Sequence, residues 1–472
     1  MPIPSKRTKI VCTIGPATDT VQKMVQLGTA GMDLARMNFS HGTHEYHLRN
    51  LKRLRQAGMR LGRPFGILQD LQGPKIRVGK LGDGVRLVEG KEVVFSTSPQ
   101  PAEGDIPVTL PYLHKDAKRG ATFLLDDGLL ECRVTRVQDR RIRAEVVHGG
   151  LLLSNKGLNL PNTKLSIPAL SDKDKADALW GIKQGVDYMA LSFVRTPGDV
   201  RDLRRILSQF KNGKSIRVIG KIEKQEALDN MDQILPLLDG VMVARGDLGI
   251  ETDATNVPVV QKQLIARCRE AGVPVIVATQ MLDSMQRNPR PTRAEVSDIA
   301  TAVADRADAV MLSGETASGK YPVESVRVMA DTIRSTEASE MEDKTEEPVM
   351  EGDRGIPELV GASARLVSDA LGYAPIIVLS DSGRTAREVS SFRPQAPIHV
   401  ITPVATTQRQ CRLLWGVTPW CVSSVPKKLE LRATHAVAFL RRKKAFKPGT
   451  RVIVVSGAGK PGTANKMEIV KV

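Results

Sequence analysis

Ile216-Arg217-Val218-Ile219-Gly220-Lys221-Ile222-Glu223 is a short apolar run that ends in charge, and Gly240-Val241-Met242-Val243-Ala244-Arg245-Gly246-Asp247 repeats the pattern one connection later. Neither run alternates strictly, as expected of parallel strands buried on both faces. Six further runs read the same way: Thr8–Ile14, Met32–Phe39, Phe65–Asp70, Asp187–Phe193, Pro274–Thr279 and Asp308–Ser313. Helical patterns, such as Asn256–Ala271 and Thr292–Arg306, lie between most of them. Eight such units in roughly 250 residues make a (β/α)8 TIM barrel, in an α/β chain.

One connection is far too long for a barrel loop. Residues 72–166 carry short β-like runs (Gly84–Leu87, Glu92–Ser96, Thr122–Leu125, Ile142–Val147) among Gly and Pro turns, and read as a small inserted β-barrel acting as a lid. The barrel is therefore split into 1–71 and 167–345. The acidic stretch Ala338–Gly355 reads as a linker, after which a new pattern starts. Helices at Pro357–Leu371, Thr385–Phe392, Thr407–Trp415 and Leu429–Arg442 are expected there. They alternate with strands at Pro375–Ser380, Ile398–Thr402, Arg451–Ser456 and Met467–Val472, so 346–472 forms a three-layer α/β domain.

The 472 residues carry a formal net charge of +17, but the basic residues are scattered and aromatics make up only 4%, so no nucleic-acid platform is expected. The dense run Arg441–Lys444 reads as a solvated helix end. Five cysteines lack the spacing of a zinc site or a disulfide framework, which fits a reducing compartment. The polar start and the absence of an 18-residue apolar stretch predict a cytoplasmic protein without membrane attachment.

In such a barrel the chemistry sits where strands exit at their C-terminal ends. Those exits hold Arg36, Asn38 and Ser40; Asp70; Ser192 and Arg195; Lys221 and Glu223; Arg245, Gly246 and Asp247; Thr279 and Gln280; Ser313 and Glu315. Glu223 and Asp247, from neighbouring strands, suit Mg²⁺ or Mn²⁺, which bind few carboxylates and keep waters or substrate oxygens. Salt bridges to Lys221 and Arg245 are the alternative. Lys221 shares a strand face with Glu223, the place for a cation that meets a phosphoryl group in transfer. Arg36 adds a bidentate cation, or else a partner for Asp70. No P-loop is present.

At these residues the chain resembles the pyruvate kinase family over essentially its whole length. The matching stretches are Thr8–Ala17, Arg36–Gly42, Gly220–Glu223, Met242–Gly249, Ala278–Leu282, Pro291–Val296 and Leu312–Thr316. The resemblance implies phosphoryl transfer from phosphoenolpyruvate to ADP, the last step of glycolysis, by a homotetramer. It implies that Glu223 and Asp247 bind the divalent ion, Lys221 stabilises the phosphoryl group and Arg36 grips it. Gly246, Asp247 and Thr279 would hold the carboxylate, with Thr279 near the proton given to the enolate. Arg77 and Lys156 resemble nucleotide contacts, and Asn38, Ser40, Asp70 and Leu71 a monovalent-cation site. Where the family's common loop has Lys and Glu, this chain has Gln72 and Lys75, so Lys75 is expected to replace K⁺, which is then not obligatory. The turn Ser380-Asp381-Ser382-Gly383-Arg384-Thr385 resembles an effector phosphate site. Asp381 argues against fructose bisphosphate, leaving a sugar monophosphate or AMP, or an ordinary helix cap. A metal-dependent 2-oxo acid lyase and a non-catalytic scaffold are the competing readings. The inserted domain and Lys221 oppose the lyase.

Overall fold

The computed structural model describes residues 6–161, 163–339, 355–426, 428–457 and 464–472. The eight expected strands are all present, at Lys9–Thr13, Leu34–Asn38, Gly66–Asp70, Tyr188–Leu191, Arg217–Ile222, Gly240–Ala244, Val275–Ala278 and Ala309–Leu312. They pair in parallel and close into a barrel, the first strand bonding both the second and the eighth. Two apolar layers explain the unalternating runs. Val11, Leu34, Leu68, Ile219, Met242, Ile276 and Met311 fill the barrel, while Ile10, Cys12, Val218, Val241, Val275 and Val310 face the surrounding helices. Leu413 of the C-terminal domain joins the interior layer and plugs the barrel floor.

The inserted segment has its own core, in which Phe95 and Phe123 meet edge to face at 5.2 Å. Six strands form one sheet and two more a ribbon. Arg77 and Val78 bridge to Gly157 and Val108, beside the two edge strands of that sheet, so the small sheet curls shut.

The C-terminal domain is a five-stranded sheet ordered Val417–Cys421, Ile398–Thr402, Ile376–Leu379, Arg451–Gly457 and Ala464–Lys471, with only the last strand antiparallel. Separate apolar clusters cover its two faces, which makes three layers. Val417–Cys421 is a strand the sequence reading lacked. The expected helix before it is shorter, Ala405–Gln410 followed by a 3₁₀ turn. Most of the expected linker, 340–354, lies outside the described residues. The domain docks on the barrel floor. Arg393 pairs with Asp308 at 2.7 Å and Arg409 with Asp187 at 2.9 Å, and the Lys9 ammonium donates to the Val417 carbonyl at 2.8 Å.

Candidate active site

Strands two, three and five deliver one connected ion cluster at the barrel mouth. Arg36 Nε donates to Asp70 Oδ2 at 2.7 Å and Arg36 Nη1 to Thr13 Oγ1 at 3.0 Å. The Lys221 ammonium lies 3.5 Å from Asp70 Oδ1 and 2.9 Å from Glu223 Oε1, and donates to Ser192 Oγ at 2.7 Å. Asp70 thus serves two cations, and Arg36 takes the alternative reading, a partner for Asp70; the pair fixes its guanidinium at the mouth.

Burial opposes the charge on Lys221, but Asp70 and Glu223 outweigh it and push the pKa above the ordinary lysine value. Burial also disfavours ionised Asp70, yet Lys221 and Arg36 hold its carboxyl below the usual range. Glu223 moves the other way. Burial raises it against the pull of Lys221, and the charge of Asp247 adds to the rise. A buried carboxylate whose charge is disfavoured by a neighbouring carboxylate is a place for a cation.

Two oxygens sharpen that point. Glu223 Oε1 and Asp70 Oδ1 are buried and accept no hydrogen bond, despite their ion-pair contacts with Lys221. The other Glu223 oxygen is fixed by the Phe193 amide at 2.6 Å, from a residue in the left-handed region at φ 53°. Among the described residues no group of three or more His, Cys, Asp or Glu is arranged for a metal ion. The donor set is therefore a two-carboxylate one that takes its remaining ligands from substrate and water, which fits Mg²⁺. Half of the salt-bridge alternative is present, with Lys221 on Glu223, but Asp247 is not paired with Arg245. Lys75 approaches it instead, at 3.8 Å, while Arg245 turns to Asp298 at 2.6 Å.

Strand seven ends in a turn with two consecutive left-handed residues, Thr279 (φ 72°) and Gln280 (φ 54°). Such conformations cost roughly 1–2 kcal/mol each in non-glycine residues. The Gly246 amide donates to Thr279 Oγ1 at 2.9 Å, so these two expected substrate contacts are neighbours. A Cβ built on Gly246 would meet nothing nearer than Thr279, at 3.7 Å, which leaves the approach to this backbone open.

The expected monovalent-cation ligands are gathered here, and protein donors engage part of the set: Asp70 Oδ2 accepts from Arg36, while Asp70 Oδ1 accepts no hydrogen bond. Asn38 Oδ1 accepts from the Ser40 amide at 3.1 Å, and the Leu71 carbonyl from Ser192 Oγ at 2.7 Å. Arg77 and Lys156 lie on adjoining lid segments, where Arg77 donates to the Asn155 carbonyl and Lys156 pairs with Asp126 at 2.7 Å. Thr13 and the Phe193 amide escaped the sequence reading. Thr13 ends strand one, a signal that was there to use, whereas a backbone amide leaves none.

Ser380–Thr385 sits at the other end of the molecule. Ser380 Oγ accepts from the Gly383 amide at 3.0 Å, Gly383 has φ 79°, and Thr385 is buried in the helix that follows. Ser382, Gly383 and Arg384 line a cavity of about 360 Å³ against the barrel floor, together with Arg217, Asp239 and Arg387.

An interrupted (β/α)8 barrel whose mouth holds a lysine and an arginine sharing one aspartate, beside two carboxylates from adjoining strands, fits a phosphotransferase. Residues 5–326 match the family described as pyruvate kinase, barrel domain, and residues 358–470 the one described as pyruvate kinase, alpha/beta domain. The chain is 44% identical to pyruvate kinase 2 of Synechocystis sp., covering 100% of this chain and 79% of that one. It is 44% identical to the pyruvate kinase of Geobacillus stearothermophilus, covering 98% and 80%. A solved pyruvate kinase of Cryptosporidium parvum superposes with a TM-score of 0.90 at 35% identity, over 99% of this chain and 96% of that one. The chain belongs to the pyruvate kinase family. Members of that family generally use Mg²⁺. Among the described residues no helix is long and apolar enough to cross a membrane.

Proposed function

We propose that the barrel mouth transfers the phosphoryl group of phosphoenolpyruvate to ADP, and that each residue's task follows from its place in the ion cluster. The observation that carries this is the shared use of Asp70 by Arg36 and Lys221, which points two cations at one spot beside Glu223. Glu223 and Asp247 would hold Mg²⁺, which, when bound, neutralises charge on substrate oxygens. Arg36 grips the phosphate as a fixed fork, and Lys221 meets the equatorial oxygens as charge gathers on them. The Asp247 amide, joined by the Gly246 amide once it leaves Thr279 Oγ1, orients the carboxylate, with Thr279 at the carbon that takes a proton once the phosphate has left. The lid bears Arg77 and Lys156 for the nucleotide phosphates, and its closure excludes water from the transfer. The test is Lys221→Met in a coupled assay of ADP-dependent pyruvate release. A fall in kcat of about 10³-fold with the fold intact is expected. A loss under tenfold would sink the assignment.

The nearby Lys75, with the Asn38 and Leu71 oxygens already bonded to protein donors, supports a reaction without obligatory K⁺. The Ser382–Arg384 turn is the proposed seat of a sugar monophosphate or AMP, supported by the three guanidinium groups against one carboxylate around its cavity. A homotetramer is in keeping with Ile356, Leu359 and Leu366, exposed along one helix of the C-terminal domain, and is checked by light scattering.

A further inference from the structure

The turn that presents Thr279 is held in its unusual conformation from outside itself. On its upstream side stands one residue, Arg245, whose side chain is only 12% exposed. Its Nη2 donates to the Thr279 carbonyl at 2.7 Å and its Nε to the Ala278 carbonyl at 3.2 Å. Behind it, Nη1 is anchored by Asp298 Oδ1 at 2.6 Å and by Gln261 Oε1 at 3.3 Å. On the downstream side the Glu315 carboxylate accepts from the Leu282 amide at 3.0 Å and, with its other oxygen, from the Ser313 amide at 2.7 Å.

Arg245 also directly precedes Gly246, whose amide bonds the Thr279 hydroxyl. One guanidinium therefore locks the exits of strands six and seven together, at the two points from which the substrate's carboxylate and its reacting carbon are addressed. Its donors are spent on carbonyls and on Asp298, so it acts through Thr279 and not on substrate.

We propose that Arg245 is the positioning residue for Thr279: it sets where the Thr279 hydroxyl stands, and so controls proton delivery to the enolate while leaving phosphoryl transfer to Lys221 and Arg36. This rests on the reading that Thr279 lies at the protonated carbon. The proton added to the enolate forms the methyl C–H bond of pyruvate, so its reverse is exchange of pyruvate methyl protons with solvent.

The experiment compares Thr279→Ala, Arg245→Lys and the double variant as Mg²⁺-loaded enzymes. Methyl proton exchange in deuterated water, with ATP present, is followed by NMR alongside steady-state kinetics. Lysine keeps the charge but cannot reach two carbonyls and an acid at once. Arg245→Lys is expected to slow exchange about 10- to 100-fold, to raise the solvent isotope effect on kcat, and to leave KM for phosphoenolpyruvate within about twofold. The double variant should be no slower in exchange than Thr279→Ala, because both act at one point. Exchange at the parent rate in Arg245→Lys, or losses that multiply in the double variant, would overturn the proposal. Parent-rate exchange in Thr279→Ala would instead overturn the role of Thr279, and the proposal with it. Asp298→Asn loosens the guanidinium without removing it. A smaller loss in the same direction is expected there, which keeps the proposal open to refutation if Arg245→Lys does not fold.

Discussion

Lys75 and Asp33 show how single side chains trade burial against charge. The Lys75 ammonium stands 3.8 Å from Asp247, with both side chains about one quarter exposed, so a fixed positive charge already sits beside the acidic pair. Activity in strictly K⁺-free buffer is therefore expected to stay within about threefold of that with KCl, whereas Lys75→Glu should make it K⁺-dependent. A parent enzyme that drops to a few per cent without K⁺ would refute this. Asp33 is buried at the start of strand two, bonded to Lys6 and to the Ile10 amide. Burial alone would push its carboxyl up, but Lys6, Lys9 and Arg63 outweigh burial and hold it at about 2. A folded-state pKa below the unfolded value of 3.8 stabilises the protein above that pH, and the gain is lost as pH falls through about 2. Asp33→Asn should thus cost about 2 kcal/mol at pH 7. The gap should narrow steadily below pH 4, as read from urea midpoints, and a gap independent of pH would refute the linkage.

At the scale of elements, the lid is tied to the barrel by a small number of buried polar contacts. Glu251 accepts from Asn159 Nδ2 of the lid at 2.8 Å and pairs with Lys224 of the barrel at 2.8 Å. Arg195 donates to the Leu165 and Ile167 carbonyls, at 2.8 and 2.6 Å, where the chain leaves the lid. Glu251→Ala leaves Lys224 buried and unpaired, a change of the kind that costs about 3 kcal/mol. We expect faster hydrogen exchange in residues 76–160 and a KM for ADP raised several-fold more than that for phosphoenolpyruvate. Equal changes in both constants would show that the contact does not steer the lid. The barrel strands were legible because burial on both faces leaves unbroken apolar runs. The lid was legible only in outline: Ile106–Pro107 and Leu158–Asn159 are two residues long, and Leu130–Gln138 hides its buried Leu130, Cys132 and Val134 among outward charges. Val417–Cys421 was lost to Pro419, which reads as a strand breaker but is tolerated at a sheet edge, where this strand lies. The ion cluster was visible as polar ends on apolar runs. The left-handed turns at Phe193 and Thr279 were not, because tertiary contacts and not local residue types enforce them.

At the scale of the whole molecule, the ion cluster and the floor cavity lie at opposite ends of the same strands. Strand five begins at Arg217 on the floor and ends beside Lys221 and Glu223 at the mouth, and strand six begins after Asp239 and runs into the short helix Arg245–Glu251. Arg217 bonds Asp239 at 3.0 Å and the Ser382 carbonyl at 2.9 Å, joining the barrel floor to the loop that lines the cavity. Asp239 also accepts from the Val218 amide at 3.0 Å, so the floor contacts are built into the strand itself. A phosphate held by Arg384 and Arg387 would draw on the same guanidinium cluster and bias how the C-terminal domain seats on strands five and six. Coupling of this kind requires differential affinity between two seatings of the domain, and typical couplings change affinity 5- to 150-fold. Ribose 5-phosphate, glucose 6-phosphate and AMP, titrated against the phosphoenolpyruvate saturation curve, should therefore include at least one that lowers half-saturation about fivefold or more. Arg387→Glu, which places an acid in the cavity, should abolish that shift. If none of the three moves the curve, the cavity is a domain seam only, and the Ser382–Arg384 turn an ordinary cap on its helix.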